Sequence, residues 1–211
     1  MKPKVVIWGA SGHALVVADI IQRAAEYELA AFIDNINPLN PEATLAGHSV
    51  YAGLAEMRRS LPEVTHLIFG FGNCQARVDL GAAIKREGFS LASAIHPSAI
   101  LANAEIGNGT VIAAGAIINP GARIGENVII NTAASVDHEC VIADGVHLCP
   151  GVRLAGRVQI GTATWVGIGS IVIDKIKIGA GSVIGAGSVV VRDIPPGVVA
   201  YGSPAKARKT L

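Results

Sequence analysis

The sequence predicts two unlike domains in series, a small α/β unit followed by a parallel β-helix. Three observations predict it. Strand-length apolar runs alternate with helix-period stretches as far as Ile95, the helical period disappears after the His96-Pro97 step, and from Ile100 to Val190 every sixth residue is aliphatic. The expected boundaries are 1–96 for the α/β unit, 97–193 for the β-helix and 194–211 for a C-terminal tail.

In chain order, "KVVIWG" reads as a buried strand and "HALVVADIIQRAAEY" as a helix with one apolar stripe. "LAAFID" is a second strand, and "YAGLAEMRRS", "THLIFGFG", "QARVDLGAAIKREG" and "SLASAIH" continue the alternation. Such alternation builds a small parallel sheet flanked by helices. The later half follows a different rule. Its aliphatic ladder is Ile100, Ile106, Ile112, Ile118, Ile124, Ile130, Val136, Ile142, Leu148, Leu154, Ile160, Val166, Val172, Ile178, Ile184 and Val190. The fourth residue after each is small or β-branched at Thr110, Ala116, Ala122, Val128, Ala134, Cys140 and Val146. Short strands that each point one aliphatic inward, separated by corners, stack into ladders, and three hexapeptides per triangular coil give about five coils. Gly and Asn suit the corners because those positions favour unusual backbone angles. Spacing alone does not set the handedness; ordinary crossover chirality favours a right-handed winding.

Composition removes several functions. The 211 residues are long enough for a substantial core. A net charge of +1, with no basic cluster beyond the terminal "AKARK", offers no footprint for nucleic acid. Mean hydropathy is positive, but Gly, Asn, Asp and His interrupt every apolar run well short of a spanning helix, so no membrane insertion is expected. "MKPKVVIWGASGH" lacks the long apolar stretch of a signal peptide. Three cysteines without a framework of spacings fit a reducing compartment, and a cytoplasmic location is expected.

The unbroken hexapeptide register resembles the left-handed β-helix acyltransferases, an exception to the crossover rule. "IWGASGHALVVADII", "FIDN", "FGFGN", "HPSA", "DHECVIADGVHLCPG" and "GSPAK" together resemble the sugar O-/N-acyltransferase branch that acetylates the amino group of nucleotide-linked amino sugars. The likeness spans nearly the whole chain. It implies a Rossmann-like N-terminal domain, a left-handed β-helix and a homotrimer in which coenzyme A lies between neighbouring β-helices. It also implies acetyl-CoA as cosubstrate, a nucleotide-linked 4-amino-4,6-dideoxy sugar as acceptor, and a place in polysaccharide biosynthesis.

The resemblance also assigns residues. His138 matches the general base and Glu139 the carboxylate that orients or strengthens it. An alkylamine is protonated at neutral pH, so a base near the reacting nitrogen is chemically necessary. Neighbouring residues on a regular strand point to opposite faces, so these two must sit at a corner or meet through a bridging group. Gly156 and Ile168 match acetyl-CoA positions, Gly156 with a backbone amide facing the thioester oxygen, and His147 matches an acetyl-CoA position near the acyl donor or the acceptor sugar. Gly12, His13, Asp34, Gly72, Asn73 and Asn131 match positions that bind the acceptor. "GASGH", between strand and helix, suits phosphate, but it is not a full dinucleotide fingerprint. Asp34, at a strand end, resembles a ribose ligand. The family often has a second acidic residue after it. Here Asn35 stands in that place, which leaves the nucleotide base open.

Other readings compete. His138-x-Cys140 and His147-x-Cys149 invite a metal site, but nine residues is half a coil and separates the pairs, so no metal is expected. No acyl-enzyme is expected on Cys140 or Cys149. O-acetylation of a sugar or sialic acid would need the same base. A non-catalytic trimeric scaffold and a carbonic-anhydrase-like metalloenzyme complete the alternatives.

Overall fold

A computed structural model describes residues 2–37 and 43–211. The N-terminal sheet has six strands in the order β3-β4-β2-β1-β5-β6, with β1 at Lys4–Trp8, β2 at Glu28–Ile33, β3 at Thr44–Leu45, β4 at His48–Tyr51, β5 at His66–Phe69 and β6 at Ser90–Leu91. Helices α1 (Gly12–Ala24), α2 (Leu54–Ser60) and α3 (Cys74–Arg86) connect them. β1 is paired in parallel on both sides, with β2 and β5, and is buried on both faces, which explains its unbroken apolar run. At the end of β1 the chain turns at Gly9 (φ 119°), where a Cβ would press on the Gly70 carbonyl after β5. Close approach of these two loops brings the carboxyl ends of β1, β2 and β5 around one crevice.

The second domain is a parallel β-helix of two-residue strands. On its first face, Ala94–Ile95, Val111–Ile112, Ile129–Ile130, His147–Leu148, Trp165–Val166 and Val183–Ile184 stack in parallel register. The second face runs from Ile100–Leu101 to Val189–Val190 and the third from Glu105–Ile106 to Lys177–Ile178. Ladder residues from Ile112 to Val190 form one continuous core, each side chain contributing roughly 1.5–3 kcal/mol by burial. The small positions are filled as the pattern requires, with Thr110, Ala116, Ala122, Val128, Ala134, Cys140 and Val146 all fully buried. Where that position is a hydroxyl, a corner carbonyl accepts its hydrogen bond: Thr110 Oγ1 to Gly125 O at 2.9 Å, Thr164 Oγ1 to Gly179 O at 2.9 Å, Ser170 Oγ to Gly185 O at 3.0 Å.

The ladder slips at its beginning. Leu101, rather than Ile100, aligns with inward Ile118, while Ile100 aligns with outward Ile117 and is 63% exposed. The first coil is one residue shorter than the next, since Ala94 pairs with Val111 but Val111 pairs with Ile129. A period-2 strand that shifts by one residue exchanges its faces. Two adjacent aliphatics hid the slip from a six-residue count.

Outward positions differ by face, and that difference locates the N-terminal domain. On the first face Val111, Ile129 and His147 are buried beneath it, and Ala94, Val111 and Ile129 join the core that holds α1. On the third face the outward residues include Glu105, Arg123, Gln159 and Lys177. Beyond the last coil, Val198–Gly202 extends the first face and Ala205–Thr210 folds back antiparallel upon it. The final strand carries Lys206, Arg208 and Lys209, charges that blunt an otherwise exposed edge.

Candidate active site

All but one of the residues singled out above fall into three places. The first is the crevice of the α/β domain, a cavity of about 680 Å³ lined by Trp8, Ser11, Asp34, Asn35, Asn73 and Asp79 among others. Asp34 is 7% exposed, and its carboxylate accepts from Ile36 N (3.0 Å), Asn37 N (3.1 Å) and Asn37 Nδ2 (2.7 Å). Burial alone would raise its pKa, but these hydrogen bonds outweigh it and hold the carboxyl below the usual range. The carboxylate therefore organises the 34–37 loop. Asn35 is fixed by the Trp8 indole, whose Nε1–H donates to its Oδ1 at 2.9 Å. Asn73 caps α3, accepting from Ala76 N at 2.9 Å. Gly12 opens α1 beside this crevice.

The second place is the seam between the domains. His147 projects outward from the first face and is 7% exposed; its ring lies 6.1 Å from that of His13 and 6.4 Å from that of Trp165, centroid to centroid. Asn131 Nδ2 is 3.2 Å from His147 Nε2, and Gly72 lies over the same ring. Burial, with the Arg77 charge adding to it, lowers the pKa of His13 to about 4 and that of His147 to about 3. Both imidazoles are neutral at physiological pH. Among the described residues, His13 Nε2 and His147 Nδ1 are buried and meet no hydrogen-bond partner of good geometry.

The third place is the corner between the second and third faces, occupied by His138 and Glu139. Glu139 has φ 58°, the left-handed conformation of a corner, and this turns the two side chains to the same side. His138 Nδ1 lies 3.1 Å from Glu139 Oε2, which also accepts from Arg157 Nε at 2.9 Å. Those hydrogen bonds, from His138 first and then Arg157, hold the Glu139 carboxyl below its ordinary range. On the other side, His138 N donates to Asp137 Oδ1 at 2.7 Å, and Asn119 Nδ2 donates to the same oxygen at 3.0 Å. Gly156 occupies the equivalent corner one coil later, and a Cβ there would collide with His138 Nε2. The ring is oriented through Nδ1 and its Nε2 is left facing a glycine backbone. Ile168 sits apart, half exposed at a corner between the first and second faces, in the same column as Thr132 and Pro150.

The structure joins His138, Glu139 and Gly156, and separately joins His13, Gly72, Asn131 and His147; His138 and His147 stand on different sides of the coil. The thiols are poorly suited to attack: burial pushes Cys140 up to about 11 and Cys149 up to about 12. Among the described residues no group of three or more His, Cys, Asp or Glu is arranged to hold a metal, and no helix is long and apolar enough to cross a membrane.

Arg77, Trp8 and Arg157 were not anticipated. Arg77 reads in sequence as one more charge on an ordinary helix. A basic residue three positions after a buried Cys, on the apolar stripe of α3, is the only signal the sequence carries for it.

Residues 4–82 match the family model described as the PglD N-terminal domain. The structure superposes on a histidine mutant of perosamine N-acetyltransferase from Caulobacter crescentus, solved with CoA and GDP-perosamine. The TM-score is 0.91 at 39% identity over 98% of this chain and 97% of that one. It also matches the acetyltransferase domain of PglB from Neisseria gonorrhoeae, solved with acetyl coenzyme A, with a TM-score of 0.90 at 34% identity, covering 99% of this chain and 100% of that one. In sequence, 115 residues are 41% identical to UDP-N-acetylbacillosamine N-acetyltransferase of Bacillus subtilis; the match spans 52% of this chain and 51% of that protein. These relations define a left-handed β-helix fold with a PglD-type α/β domain in front of it. The chain belongs to the hexapeptide-repeat acetyltransferases that carry a PglD-type N-terminal domain.

Proposed function

We propose that the protein transfers the acetyl group of acetyl-CoA to the amino group of a nucleotide-linked amino sugar, of the 4-amino-4,6-dideoxy type, with His138 as general base. The observation that carries this reading is the His138 corner, where a carboxylate and an arginine fix Nδ1 while Nε2 faces Gly156. The solved relatives that bind CoA and GDP-perosamine support the choice of substrates.

The α/β crevice takes the nucleotide, with Asp34, Asn35 and Asn73 around it. The start of α1, with Gly12 and His13, faces the diphosphate. The seam of His13, Gly72, Asn131 and His147 lies further along the ligand. The amine nitrogen attacks the thioester carbonyl carbon as His138 Nε2 takes one N–H proton. Charge develops on the carbonyl oxygen, where the Gly156 amide stabilises it. Glu139 stabilises the imidazolium formed in that step. The C–S bond then breaks, and the departing CoA thiolate takes from His138 the proton that came from the amine. The products are an amide and a free thiol. No acyl-enzyme forms, in keeping with the raised thiols of Cys140 and Cys149.

The crevice lies over the first face and His138 lies on another corner, so a homotrimer that sets one protomer's crevice against its neighbour's His138 completes the site. Ile168 would then contact the pantetheine arm in the groove between protomers.

The test is thiol release from acetyl-CoA across UDP-, dTDP- and GDP-linked 4-amino-4,6-dideoxy sugars. Turnover with one of them is the expected result. Silence with every nucleotide sugar, alongside acetylation of a sugar hydroxyl, would replace this reading with O-acetylation.

A further inference from the structure

Arg77 heads the largest fully buried side chains, at 1% exposure. Among the described residues it forms no ion pair with a carboxylate. Instead its guanidinium is spent on backbone carbonyls from both domains. Nη1 donates to Gly72 O at 2.7 Å and to Phe71 O at 3.3 Å. Nε donates to Asn127 O at 3.0 Å, and Nη2 to Gly145 O at 2.8 Å and Val146 O at 3.3 Å. Asn127 (φ 54°) and Gly145 (φ 67°) are the same corner on two successive coils. One planar fork therefore bridges the loop after β5 to two rungs of the β-helix.

Burying an uncompensated charge is costly, and apolar residues would fill the same volume with less penalty. What an apolar residue cannot supply is a fixed, multidentate attachment to carbonyls on two separate bodies. The attached loop is a functional one. Phe71 and Asn73 line the crevice, and Gly72 covers His147.

We propose that Arg77 is a positioning residue for the acceptor: its guanidinium sets the Phe71–Asn73 loop at one height on the β-helix and so fixes the spacing between the nucleotide crevice and the His13–His147 seam. This rests on the acetyltransferase reading, since the two places are taken to hold two ends of one ligand. The Arg77 charge has a second effect there, adding to burial in keeping both seam histidines neutral.

Two variants separate the fork from the charge. Arg77→Lys keeps the charge and loses the planar fork; Arg77→Met keeps most of the volume and loses both. Each is compared with wild type by steady-state kinetics and by amide hydrogen exchange. For Arg77→Lys, KM for the nucleotide sugar should rise about tenfold, the factor lost with one good charge-assisted hydrogen bond. KM for acetyl-CoA should stay within about twofold, because only one ligand spans the crevice and the seam. Exchange should quicken in segments 71–73 and 145–147 together while the rest of the β-helix keeps its protection. An equal rise in both KM values, no change in either, or faster exchange throughout the chain would overturn the proposal. If Arg77→Met does not fold, Arg77→Lys alone decides. If wild type acetylates no nucleotide sugar, the activity reading fails, and the exchange pattern still shows whether Arg77 holds the loop.

Discussion

His138 and His147 are nine residues apart on one coil, and their surroundings are nearly opposite. His138 stands at an exposed corner, with Glu139 and Arg157 beside it and a glycine against its free nitrogen. His147 stands on a strand beneath the N-terminal domain, beside a guanidinium and a second histidine, with its pKa pushed down to about 3 by burial and then by Arg77. A buried site beside a cation disfavours an imidazole that gains a proton. On the proposed reading, place within the coil divides the labour, with the proton acceptor at the corner and a neutral hydrogen-bonding surface at the seam.

The sharpest way to break that contrast is to remove the base proposed at the corner. His138→Ala should lower kcat by about 10²–10⁴, the usual contribution of a general base, while the oligomeric state and melting temperature stay close to wild type. Activity within twofold of wild type would transfer the proton-accepting role elsewhere. A subtler intrusion is Gly156→Ala. Its methyl group would displace the His138 ring, and a misplacement of about 1 Å costs about 10²-fold in rate. Unchanged kcat would mean that the ring position in the structure is not the reactive one.

Glu139→Gln should have a smaller effect. The carboxylate is exposed and shared with Arg157, so its loss should lower kcat by about fivefold, the scale of an exposed ion pair. The variant also tests whether geometry or charge matters at this corner, since Gln keeps an oxygen acceptor for His138. A loss as large as that of His138→Ala would make Glu139 a full member of the proton-transfer machinery.

The architecture was legible because period reports directly on packing. Six-residue aliphatic spacing marked the β-helix, and the His138-Glu139 pair was visible as a corner question that the positive φ of Glu139 answers. The slip at Ile100–Leu101 was not legible, because either aliphatic satisfies the count and only the partner strand chooses between them. Arg77 was illegible for a different reason. Its carbonyl partners lie 5 to 69 positions away in the chain, and backbone acceptors carry no side-chain signature. The neutrality of His13 and His147 likewise depends on what covers them, which only the docking of two domains determines.

That neutrality makes the last and smallest prediction, which concerns stability. In the unfolded chain both histidines titrate near 6.5; in the folded protein they titrate at about 4 for His13 and about 3 for His147. Between those limits the unfolded state binds more protons, so stability rises with pH from about 4 to 6.5 and is lost as pH falls through that window. The titratable and charged groups near His147 are His13, the Arg77 guanidinium and the Cys74 thiol. None of these carries a negative charge at such pH that could offset its protonation. The carboxyls of Asp34, Asp137 and Glu139, all held below their usual range, matter only further into acid. Thermal melts from pH 4.5 to 7.5 should therefore show a falling melting temperature below pH 6.5, and His147→Gln should flatten that slope by removing one of the two protons taken up on unfolding. A slope unchanged by His147→Gln would show that the seam admits a protonated imidazole, and the division of labour between the two histidines would fail at the seam rather than at the corner.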